Sequence, residues 1–570
     1  MAGRVAVIGA GSSGVTAVKC LLEAGFTDVV CYERRDVIGG LWYYKETAAE
    51  WKDESCVNRA TVINTSKEFM AFSDYPMPDY YPNFCHNADV RDSTGKWEIR
   101  IKDHKTGKEF LEVFDFVIVA NGHHGTPNLP TFPGQESFQG VTMHSKDFKD
   151  VRSVKSSRAV VVGIGNSGGD IAVELSKYTK VFLSTRRGAW ILNRLEANGL
   201  PWDFYYHSRL LRILLRLLPR SYMNSKRKAI LNQRFNHDLY HLTPLHEPDA
   251  THPTVNDELP NRIAAGMVKV KPNIKSFSTK GIPRFSFILI TSKANPLLVN
   301  TKVQISTYVR FMLCLFLYVF VSCCFYFFIC SSHDVFISLC FDYHAVFISV
   351  YVHSVLCSQD KDVVQVRQNK VELYQYMWLP ELPKQTIAFL AVCQPLGAMF
   401  PIAEMQSRLA ARVFKGEVKL PPPVGMKKDI CAKEKAMRRR YIDTQRHTIQ
   451  VDWLPYMDEL ATVVGCKPNL FKLLVTDPRL FWRVLTGPGV PYQFRLHGPN
   501  SWPGARQAIF TVIDRIEKPF NTRPLPTKKT SKTKRIVLLS LGVAVVGAAL
   551  LYVKERDIEL WKDWSIGVFT

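Results

Sequence analysis

The chain has 570 residues, more than one compact core normally accommodates, so two or three domains are expected. Hydrophobic residues make up 46% and charged residues 22%, a balance that is typical of globular proteins and excludes a largely disordered chain. The net charge of +23 indicates anionic partners. Because no zinc-finger spacing, RNP motif or basic heptad region is present, we exclude nucleic acid. Thirteen cysteines without a CxxC pair indicate no disulfide framework, and no metal site is expected.

A glycine-rich turn follows the first predicted strand. The apolar run 4–8 leads into GAGSSG and then into a helical pattern, which is the order of a dinucleotide fingerprint. In such a turn one glycine permits the sharp bend, a second lets the backbone approach a pyrophosphate, and a third lets helix and strand pack closely. The residues predicted to bind the cofactor here are Gly9, Ala10, Gly11, Ser12, Ser13 and Gly14. The alternative is an ordinary glycine turn in a βαβ unit.

The second predicted strand ends in an acidic residue. Glu33 follows the apolar run 29–32, where its carboxylate is placed to accept a hydrogen bond from a ribose hydroxyl and would repel a 2′-phosphate. Glu33 also begins an ExxxxxGGxW pattern, from which Gly40, Leu41 and Trp42 are predicted to bind the cofactor. This pattern resembles the extended FAD fingerprint of flavoprotein monooxygenases, so FAD is predicted at the first site.

A second glycine-rich turn follows the strand-like run 158–162. Its sequence, GIGNSGGD, precedes another helical pattern, so the same phosphate-binding geometry is expected. The residues predicted to bind a cofactor here are Gly163, Gly165, Asn166, Ser167, Gly168, Gly169 and Asp170. The next strand, 181–183, leads to Arg186 and Arg187, where the first site has Glu33. Guanidinium groups pair with a 2′-phosphate, which predicts NADPH; the alternative is two arginines on a solvated loop.

Several longer motifs carry a family resemblance. FQGVTMHSKDFK (138–149) lies between the two glycine turns and fits the FxGxxxHxxx(Y/F) pattern of class B flavoprotein monooxygenases. The motifs VINTSKEFMAFSDYP (62–76), STRRGAWILNR (184–194) and HPTVNDELPNRI (252–263) resemble animal microsomal flavin-containing monooxygenases, most closely the fifth isoform of that family. The resemblance covers residues 1–86, 97–281 and 359–525.

The resemblance implies an α/β fold with two Rossmann-like dinucleotide-binding domains, one for FAD and one for NADPH, the second inserted in the first. A C-terminal membrane anchor helix completes it. The predicted segments are an FAD-binding domain in two parts (1–154 and 359–440), an NADPH-binding domain with a helical insertion (155–281), an anomalous hydrophobic insert (282–358), a C-terminal region (441–527) and a transmembrane anchor (536–553).

The resemblance also implies the chemistry. NADPH reduces FAD, dioxygen adds to the reduced ring to give a flavin hydroperoxide, and a soft nitrogen or sulfur nucleophile of a xenobiotic takes the distal oxygen. Asn64 is implied as the catalytic residue that shelters the oxygenated flavin, with Thr65 beside it at the cofactor. The alternative for Asn64 is an Asx turn before a helix.

Other functions fit the same motifs. A Baeyer–Villiger monooxygenase acting on ketones uses the same cofactors, and an uncoupled NADPH oxidase would result if water entered the site. A non-enzyme alternative is an inactive splice or gene-model variant.

The C-terminal run 536–553 contains 18 uncharged, mostly apolar residues after a basic spacer. Its length and basic flank predict a tail anchor in the endoplasmic reticulum membrane with the catalytic domains facing the cytosol, since no N-terminal signal peptide is present. A buried core helix is the alternative.

A leucine-rich stretch contains four regularly spaced arginines, Arg209, Arg212, Arg216 and Arg220, and no acidic residue occurs in 204–237. This pattern predicts a basic amphipathic helix over 209–220 on the membrane surface, or else a solvated face.

Two regions depart from the family pattern. The region 86–97 lacks about a helix and a strand, and residues 282–358 replace a strand that ends in FATGY. The apolar run 311–330 has the length of a transmembrane helix, with 335–356 as a return span. Phe, Cys, Tyr, Val and Ser dominate the segment 282–358. Because translation of thymine-rich noncoding sequence yields these residues, we favour a retained intron or a gene-model error.

Overall fold

The structure is a computed structural model that describes residues 3–33, 37–43, 56–85, 100–102, 109–111, 114–122, 130–154, 156–196, 199–277, 287–290, 302–307, 346–351, 370–382, 384–442, 444 and 447–523. The chain divides into two compact units, Met1–Pro519 and Phe520–Thr570. All of the strands and helices given below belong to the first unit.

The strands, in chain order, are β1 (Val5–Ile8), β2 (Val29–Tyr32), β3 (Arg100–Lys102), β4 (Glu109–Leu111), β5 (Phe116–Val119), β6 (Val141–His144), β7 (Arg158–Val162), β8 (Lys180–Ser184), β9 (Ile191–Leu192), β10 (Thr254–Val255), β11 (Val268–Lys271), β12 (Phe287–Ile290), β13 (Lys302–Thr307), β14 (Val346–Tyr351), β15 (Ile387–Phe389), β16 (Gln394–Leu396) and β17 (Gln450–Asp452).

The α-helices are α1 (Ser12–Glu23), α2 (Lys67–Met70), α3 (Asn166–Leu175), α4 (Trp202–Tyr206), α5 (Arg209–Leu217), α6 (Arg220–Arg234), α7 (Leu259–Ala264), α8 (Phe400–Phe414), α9 (Pro423–Arg440), α10 (Trp453–Val464), α11 (Leu470–Thr476), α12 (Pro478–Thr486), α13 (Ala505–Phe510) and α14 (Val512–Glu517). Short 3-10 turns include Gly40–Trp42 and Pro491–Arg495.

The first sheet is parallel and has the strand order β15-β5-β1-β2. Strand β1 lies between β2 and β5, and all four of its side chains are buried, which is why it reads as a continuous apolar run. Strand β15 joins from a distant part of the chain, with Ile387 opposite Val117. This sheet carries the first glycine turn at the end of β1.

The second sheet is parallel and has the order β11-β8-β7-β12-β6. In sequence it falls between β5 and β15 of the first sheet, so a second Rossmann-like α/β unit is inserted in the first. Two of its strands, β6 and β12, lie outside the range 155–281 predicted for the NADPH-binding domain. An apolar run of four residues such as Phe287–Ile290 cannot be assigned to one sheet from sequence alone, because pairing depends on partners far along the chain.

Little of the anomalous segment 282–358 is described beyond strand β12. Strands β13 and β14 pair antiparallel, with Lys302 opposite Tyr351. The return span proposed over 335–356 is therefore wrong for Val346–Tyr351, which is a strand paired through its backbone rather than part of a helix. The apolar run 311–330 lies outside the described residues, as does the whole shortened region 86–97.

The structure confirms a basic amphipathic helix over Arg209–Leu217, but the predicted extension to residue 220 is wrong. Helix α5 ends at Leu217, and a new helix begins after Pro219. Arg212 pairs with Asp452 at 3.3 Å and Arg220 with Asp249 at 2.8 Å, while the buried Arg209 pairs with Asp458. The acidic partners come from distant positions in the sequence. The stretch therefore has ion-pair partners in the fold although it has no acidic residue nearby in the sequence.

A group of largely buried charges joins four segments of the chain. Arg495 pairs with Glu404 of helix α8 at 2.7 Å and with Asp74 at 2.9 Å. Lys19 of helix α1 reaches Asp74 at 2.7 Å, and Ser73 donates to Glu404 from both its backbone N–H and its hydroxyl. The hydrogen bonds satisfy charges that would otherwise be costly to bury.

Within the described ranges, every helix is either too short or too polar to serve as a transmembrane span. The predicted anchor 536–553 lies outside the described residues.

Candidate functional site

The first glycine turn needs its glycines for steric reasons. Gly9 has φ +100°, and a Cβ there would lie 2.6 Å from the carbonyl oxygen of Ala120. A Cβ on Gly14 would lie 1.7 Å from the carbonyl oxygen of Gly9. Gly14 therefore lets helix α1 approach the end of β1, and Gly9 lets the turn pass close to the residue that follows β5.

The start of helix α1 offers room and unpaired donors. Gly11 is the N-cap, has extended backbone angles and supplies no side-chain acceptor to the first turn, which begins at Ser12 and the buried Ser13. Among the described residues, the atom nearest to a Cβ on Gly11 would be the Cα of Gly40, at 3.7 Å. A helix N-terminus with open space before it fits a pyrophosphate group, because the first backbone N–H groups lack partners inside the helix.

Glu33 lies beside this turn. Its Oε2 accepts a hydrogen bond from the backbone N–H of Ala10 at 2.8 Å. The bond holds the carboxylate at the end of β2, adjacent to the helix N-terminus. This is the arrangement by which an acidic residue contacts the ribose of a dinucleotide.

The GGLW turn packs directly on the glycine turn. Gly39 donates from its backbone N–H to the carbonyl of Ala10 at 3.0 Å. Gly40 has φ +54°, and a Cβ there would lie 2.9 Å from the Cα of Gly11. The carbonyl of Leu41 accepts from the N–H of Val57. The structure thus brings together both halves of the predicted FAD fingerprint.

Trp42 connects this turn to helix α8. Its ring meets the ring of Phe400 edge to face, with the centroids 5.8 Å apart, and Phe72 stacks on Phe400 at 5.7 Å. Phe400 is the first residue of α8, and sequence reasoning did not single it out. The segment before α8 therefore lies close to the GGLW turn.

The second glycine turn repeats the first. Gly163 has φ +102°, helix α3 begins after the extended Gly165, and its first turn contains the exposed Ser167. Gly168 and Gly169 are buried, and a Cβ on Gly169 would come within 3.4 Å of Thr254 Cγ2. The N-terminus of α3 is thus a second candidate phosphate site.

The side chains of two residues predicted to bind the second cofactor make contacts inside the protein. Asn166 accepts the backbone N–H of Val255 through Oδ1 at 2.8 Å, and Asp170 accepts from Asn256 Nδ2 at 2.8 Å. Burial raises the pKa of Asp170 to about 6. These side chains fasten the segment 254–258 to helix α3.

Arg186 and Arg187 follow strand β8 and are exposed. The strand end is fixed beside the glycine turn, because Gly163 donates from its N–H to the carbonyl of Ser184 at 2.8 Å. In the described part of the chain neither guanidinium has an ion pair or hydrogen bond. Both charges therefore remain available to an anion such as a 2′-phosphate.

Asn64 is held by two residues that follow the second glycine turn in the sequence. Its Oδ1 accepts from Arg194 Nη2 at 2.9 Å, and its backbone carbonyl accepts from Trp202 Nε1 at 3.1 Å. An Asx turn would direct Oδ1 to the N–H of Ser66, but that N–H donates to Asp203 at 2.6 Å. The structure therefore does not support the Asx-turn alternative.

Thr65 and its neighbours form a buried strip behind Asn64. Thr65 is 7% exposed, and Ser66 donates to Asp203 from its hydroxyl as well as its backbone. Burial raises the pKa of Asp203 to about 7. Sequence reasoning missed Arg194, Trp202 and Asp203, although Arg194 is the last residue of the STRRGAWILNR motif.

His207 is a further residue that the sequence did not indicate. Its ring is buried among Phe69, Trp202 and Trp453, with centroid separations of 5.3, 5.5 and 5.7 Å. Burial, together with the nearby Arg212, lowers the pKa of His207 to about 3, so the imidazole is neutral. His207 is thus part of an aromatic core behind the Asn64 segment.

Comparison with known proteins identifies the group to which these features belong. A family model described as flavin-binding monooxygenase-like matches residues 2–93, 88–283 and 343–555. The match is interrupted near the region predicted to be shortened and leaves residues 284–342, within the anomalous insert, uncovered.

Curated relatives match nearly the whole chain. Flavin-containing monooxygenase 5 of Rattus norvegicus is 39% identical over 96% of this chain and 98% of its own length. Dimethylaniline monooxygenase [N-oxide-forming] 2 of the same organism is 34% identical over 97% of this chain and 99% of its own length. Among solved structures, cyclohexanone monooxygenase from Rhodococcus sp. Phi1 bound to NADP+ shares the fold, with a TM-score of 0.51 and 12% identity over 81% of this chain and 97% of its own.

FAD and NADPH are the cofactors. The chain belongs to the flavin-binding monooxygenase family and is an NADPH-dependent enzyme of that family.

Proposed function

We propose that this enzyme oxygenates soft nitrogen or sulfur nucleophiles among foreign small molecules. In the balanced reaction, NADPH, a proton, dioxygen and the substrate give NADP+, water and the substrate oxide. FAD, when bound, supplies the electron transfer and oxygen activation that amino-acid side chains cannot. The protein therefore needs to bind two dinucleotides, orient them and exclude water.

The charge of the residues that follow β2 differs from that of the residues that follow β8, and this difference is the main support for the proposed use of the two cofactors. Glu33 is held beside the N-terminus of helix α1 by its bond to Ala10, which suits a ribose hydroxyl and disfavours an added phosphate. Arg186 and Arg187 are exposed at the corresponding strand end of the second sheet. One fold used twice thus provides one site for FAD and one for NADPH.

Asn64 is the proposed catalytic residue. Because its Oδ1 accepts from Arg194, its NH₂ group is the part of the amide left to donate a hydrogen bond outward. A donor fixed in this way would stabilise negative charge that develops at the flavin, and it needs no reorganisation during the reaction.

Nitrogen oxygenation is supported by the name of the N-oxide-forming relative. The comparisons do not favour the alternatives of Baeyer–Villiger insertion, an uncoupled NADPH oxidase or an inactive variant.

We further propose that the segment 536–553 anchors the enzyme in the endoplasmic reticulum membrane with its catalytic domains in the cytosol. The support is the uninterrupted apolar run and its basic flank. The full-length chain should resist alkaline carbonate extraction from microsomes, and a chain ending at residue 527 should be released. Release of both chains would contradict the anchor.

The function is tested with purified full-length protein carrying FAD. NADPH is added without oxygen until the yellow colour bleaches, and air is then admitted with a tertiary amine, a thioether or a cyclic ketone. Formation of one amine oxide or sulfoxide per NADPH is expected. Equal bleaching by NADH, or formation of lactone without any oxide, would contradict the proposal.

A further inference from the structure

Arg194 links the second domain to the side chain of Asn64. Its Nη2 donates to Asn64 Oδ1 at 2.9 Å and to the carbonyl of Val62 at 3.3 Å, and its Nε donates to the carbonyl of Ile63 at 3.1 Å. On the other side, Nη1 pairs with Asp257 Oδ2 at 2.9 Å, and the backbone N–H of Arg194 donates to Asp257 Oδ1 at 2.8 Å. The side chain is only 12% exposed.

The chemistry of this contact decides how the Asn64 amide is oriented. A guanidinium carries only donors, so the atom of the amide that faces Arg194 must be the oxygen. The NH₂ group is then turned away from Arg194. Trp202 holds the carbonyl of Asn64 from another direction, which leaves the backbone little freedom to rotate the amide away.

The other end of Arg194 leads to the helix of the second glycine turn. Asp257 belongs to the segment 254–258, which is fastened to helix α3 by the contacts of Val255 with Asn166 and of Asn256 with Asp170. Arg194 therefore stands between Asn64 and the helix whose N-terminus is the candidate NADPH phosphate site. The path from α3 to Asn64 runs by hydrogen bonds to the segment 254–258, along its backbone to Asp257, and by hydrogen bonds through Arg194 to Asn64.

We propose that Arg194 is a positioning residue for the oxygenation reaction. It fixes the Asn64 amide with its NH₂ group directed outward and ties that orientation to helix α3. This inference rests on the proposed role of Asn64. In the oxygenation step Arg194 acts through Asn64, so its loss should change the fate of oxygen, namely substrate oxide or hydrogen peroxide, without slowing the reduction of FAD by NADPH.

The main experiment compares four full-length holoenzyme variants with the wild type: Arg194→Met, Arg194→Lys, Asn64→Ala and Arg262→Met. Arg262 of the neighbouring helix α7 pairs with Glu258 and serves as the matched control, since the same type of side chain is changed beside the same segment. The measurements are FAD content, the anaerobic rate of flavin reduction by NADPH, and hydrogen peroxide released per NADPH oxidised in the presence of substrate.

Arg194→Met is expected to raise the peroxide fraction about fivefold or more, close to the level of Asn64→Ala, because one charge-assisted hydrogen bond is lost. FAD content and the reduction rate should stay within about twofold of the wild type. Arg194→Lys keeps the charge but not the forked geometry, so it should give an intermediate value and remain informative if Arg194→Met does not fold. Arg262→Met should behave as the wild type.

The failures of the two proposals can be distinguished. A raised peroxide fraction in Asn64→Ala with a wild-type value in both Arg194 variants would overturn the positioning role and leave the proposed function intact. A wild-type value in Asn64→Ala would overturn the role of Asn64, and the positioning role with it.

A second readout does not depend on turnover. Thermal unfolding is measured for Asn64→Ala, Arg194→Met and the double variant. Because the two side chains share a hydrogen bond, the double variant should lose less in Tm than the sum of the single losses. Strictly additive losses would show that the amide is not held by Arg194 and would overturn the inference.

Discussion

The carboxylate of Glu33 and the backbone N–H of Ala10 are joined by a hydrogen bond of 2.8 Å. Through this bond, the acid that ends strand β2 is fixed against the glycine turn that ends strand β1. The two strands are neighbours in a parallel sheet, so their carboxyl ends meet at one edge, where ligands of such folds bind. The relation between these two residues defines the FAD side of the enzyme.

Replacing Glu33 by Ala should weaken FAD binding. Loss of a charged acceptor costs about 1.5–3 kcal/mol, which corresponds to roughly a 10- to 100-fold higher Kd. Titration of the apoprotein with FAD, followed by flavin fluorescence, measures the effect. Glu417→Ala, which removes a surface carboxylate paired with Lys415, is the control. Equal FAD affinity in both variants would contradict the assignment of Glu33.

Two glycines of the same turn should respond differently to alanine. At Gly14 a Cβ would lie 1.7 Å from a backbone oxygen, so Gly14→Ala should prevent folding of the domain. At Gly11 the nearest described atom to a Cβ would lie 3.7 Å away, which is an ordinary contact. Gly11→Ala should therefore fold but fill space proposed for the pyrophosphate. Its FAD affinity should fall at least about tenfold, or about 1.4 kcal/mol. Circular dichroism and FAD content separate the outcomes, and full FAD content in Gly11→Ala would contradict the site.

The preference for NADPH should depend on the arginines after strand β8. Replacing Arg186 or Arg187 by Ala should raise KM for NADPH by roughly 10- to 100-fold and leave KM for NADH almost unchanged, since only NADPH carries the 2′-phosphate. Lys180→Ala is a matched control, because Lys180 is an exposed cation at the opposite end of the same strand. If Lys180→Ala raised KM for NADPH as much, general electrostatic attraction would explain the effect.

Local patterns and long-range contacts differed in how well the sequence predicted them. The glycine turns, Glu33 and the two arginines were predictable because strand, turn and helix follow one another within about 30 residues. The sequence predicted the amphipathic helix that forms over Arg209–Leu217, but not its ion pairs, because Arg212 finds its partner Asp452 across 240 residues of sequence. Likewise, no spacing rule connects Asn64 with Arg194, although both lie in motifs that the sequence made conspicuous.

The buried charges around helix α8 should be essential for stability. Glu404→Gln removes the charge opposite Arg495 in a site where both side chains are 2% exposed. Breaking a buried pair costs about 3–5 kcal/mol. Because Arg495 keeps its contact with Asp74, we expect the free energy of unfolding to fall by about 3 kcal/mol. Glu381→Gln is the control, since its pair with Lys427 is more than half exposed and contributes little. Equal unfolding transitions in denaturant for the two variants would show that the buried group is not stabilising.

Asp203 should make stability depend on pH. Burial raises its pKa to about 7 in the folded protein, above the ordinary value near 4, so the native state binds more protons than the unfolded state between these values. The free energy of unfolding should therefore decrease as pH rises from about 4 to about 7. In Asp203→Asn the neutral amide can accept from the N–H of Ser66 and donate to its hydroxyl, as the protonated acid does. The variant should match the wild type below about pH 4, where Asp203 is protonated in both states, and exceed it by about 2–4 kcal/mol at pH 8. Comparing the two proteins at each pH cancels the contributions of Asp170 and His207, and parallel curves over this range would show that Asp203 is ionised throughout.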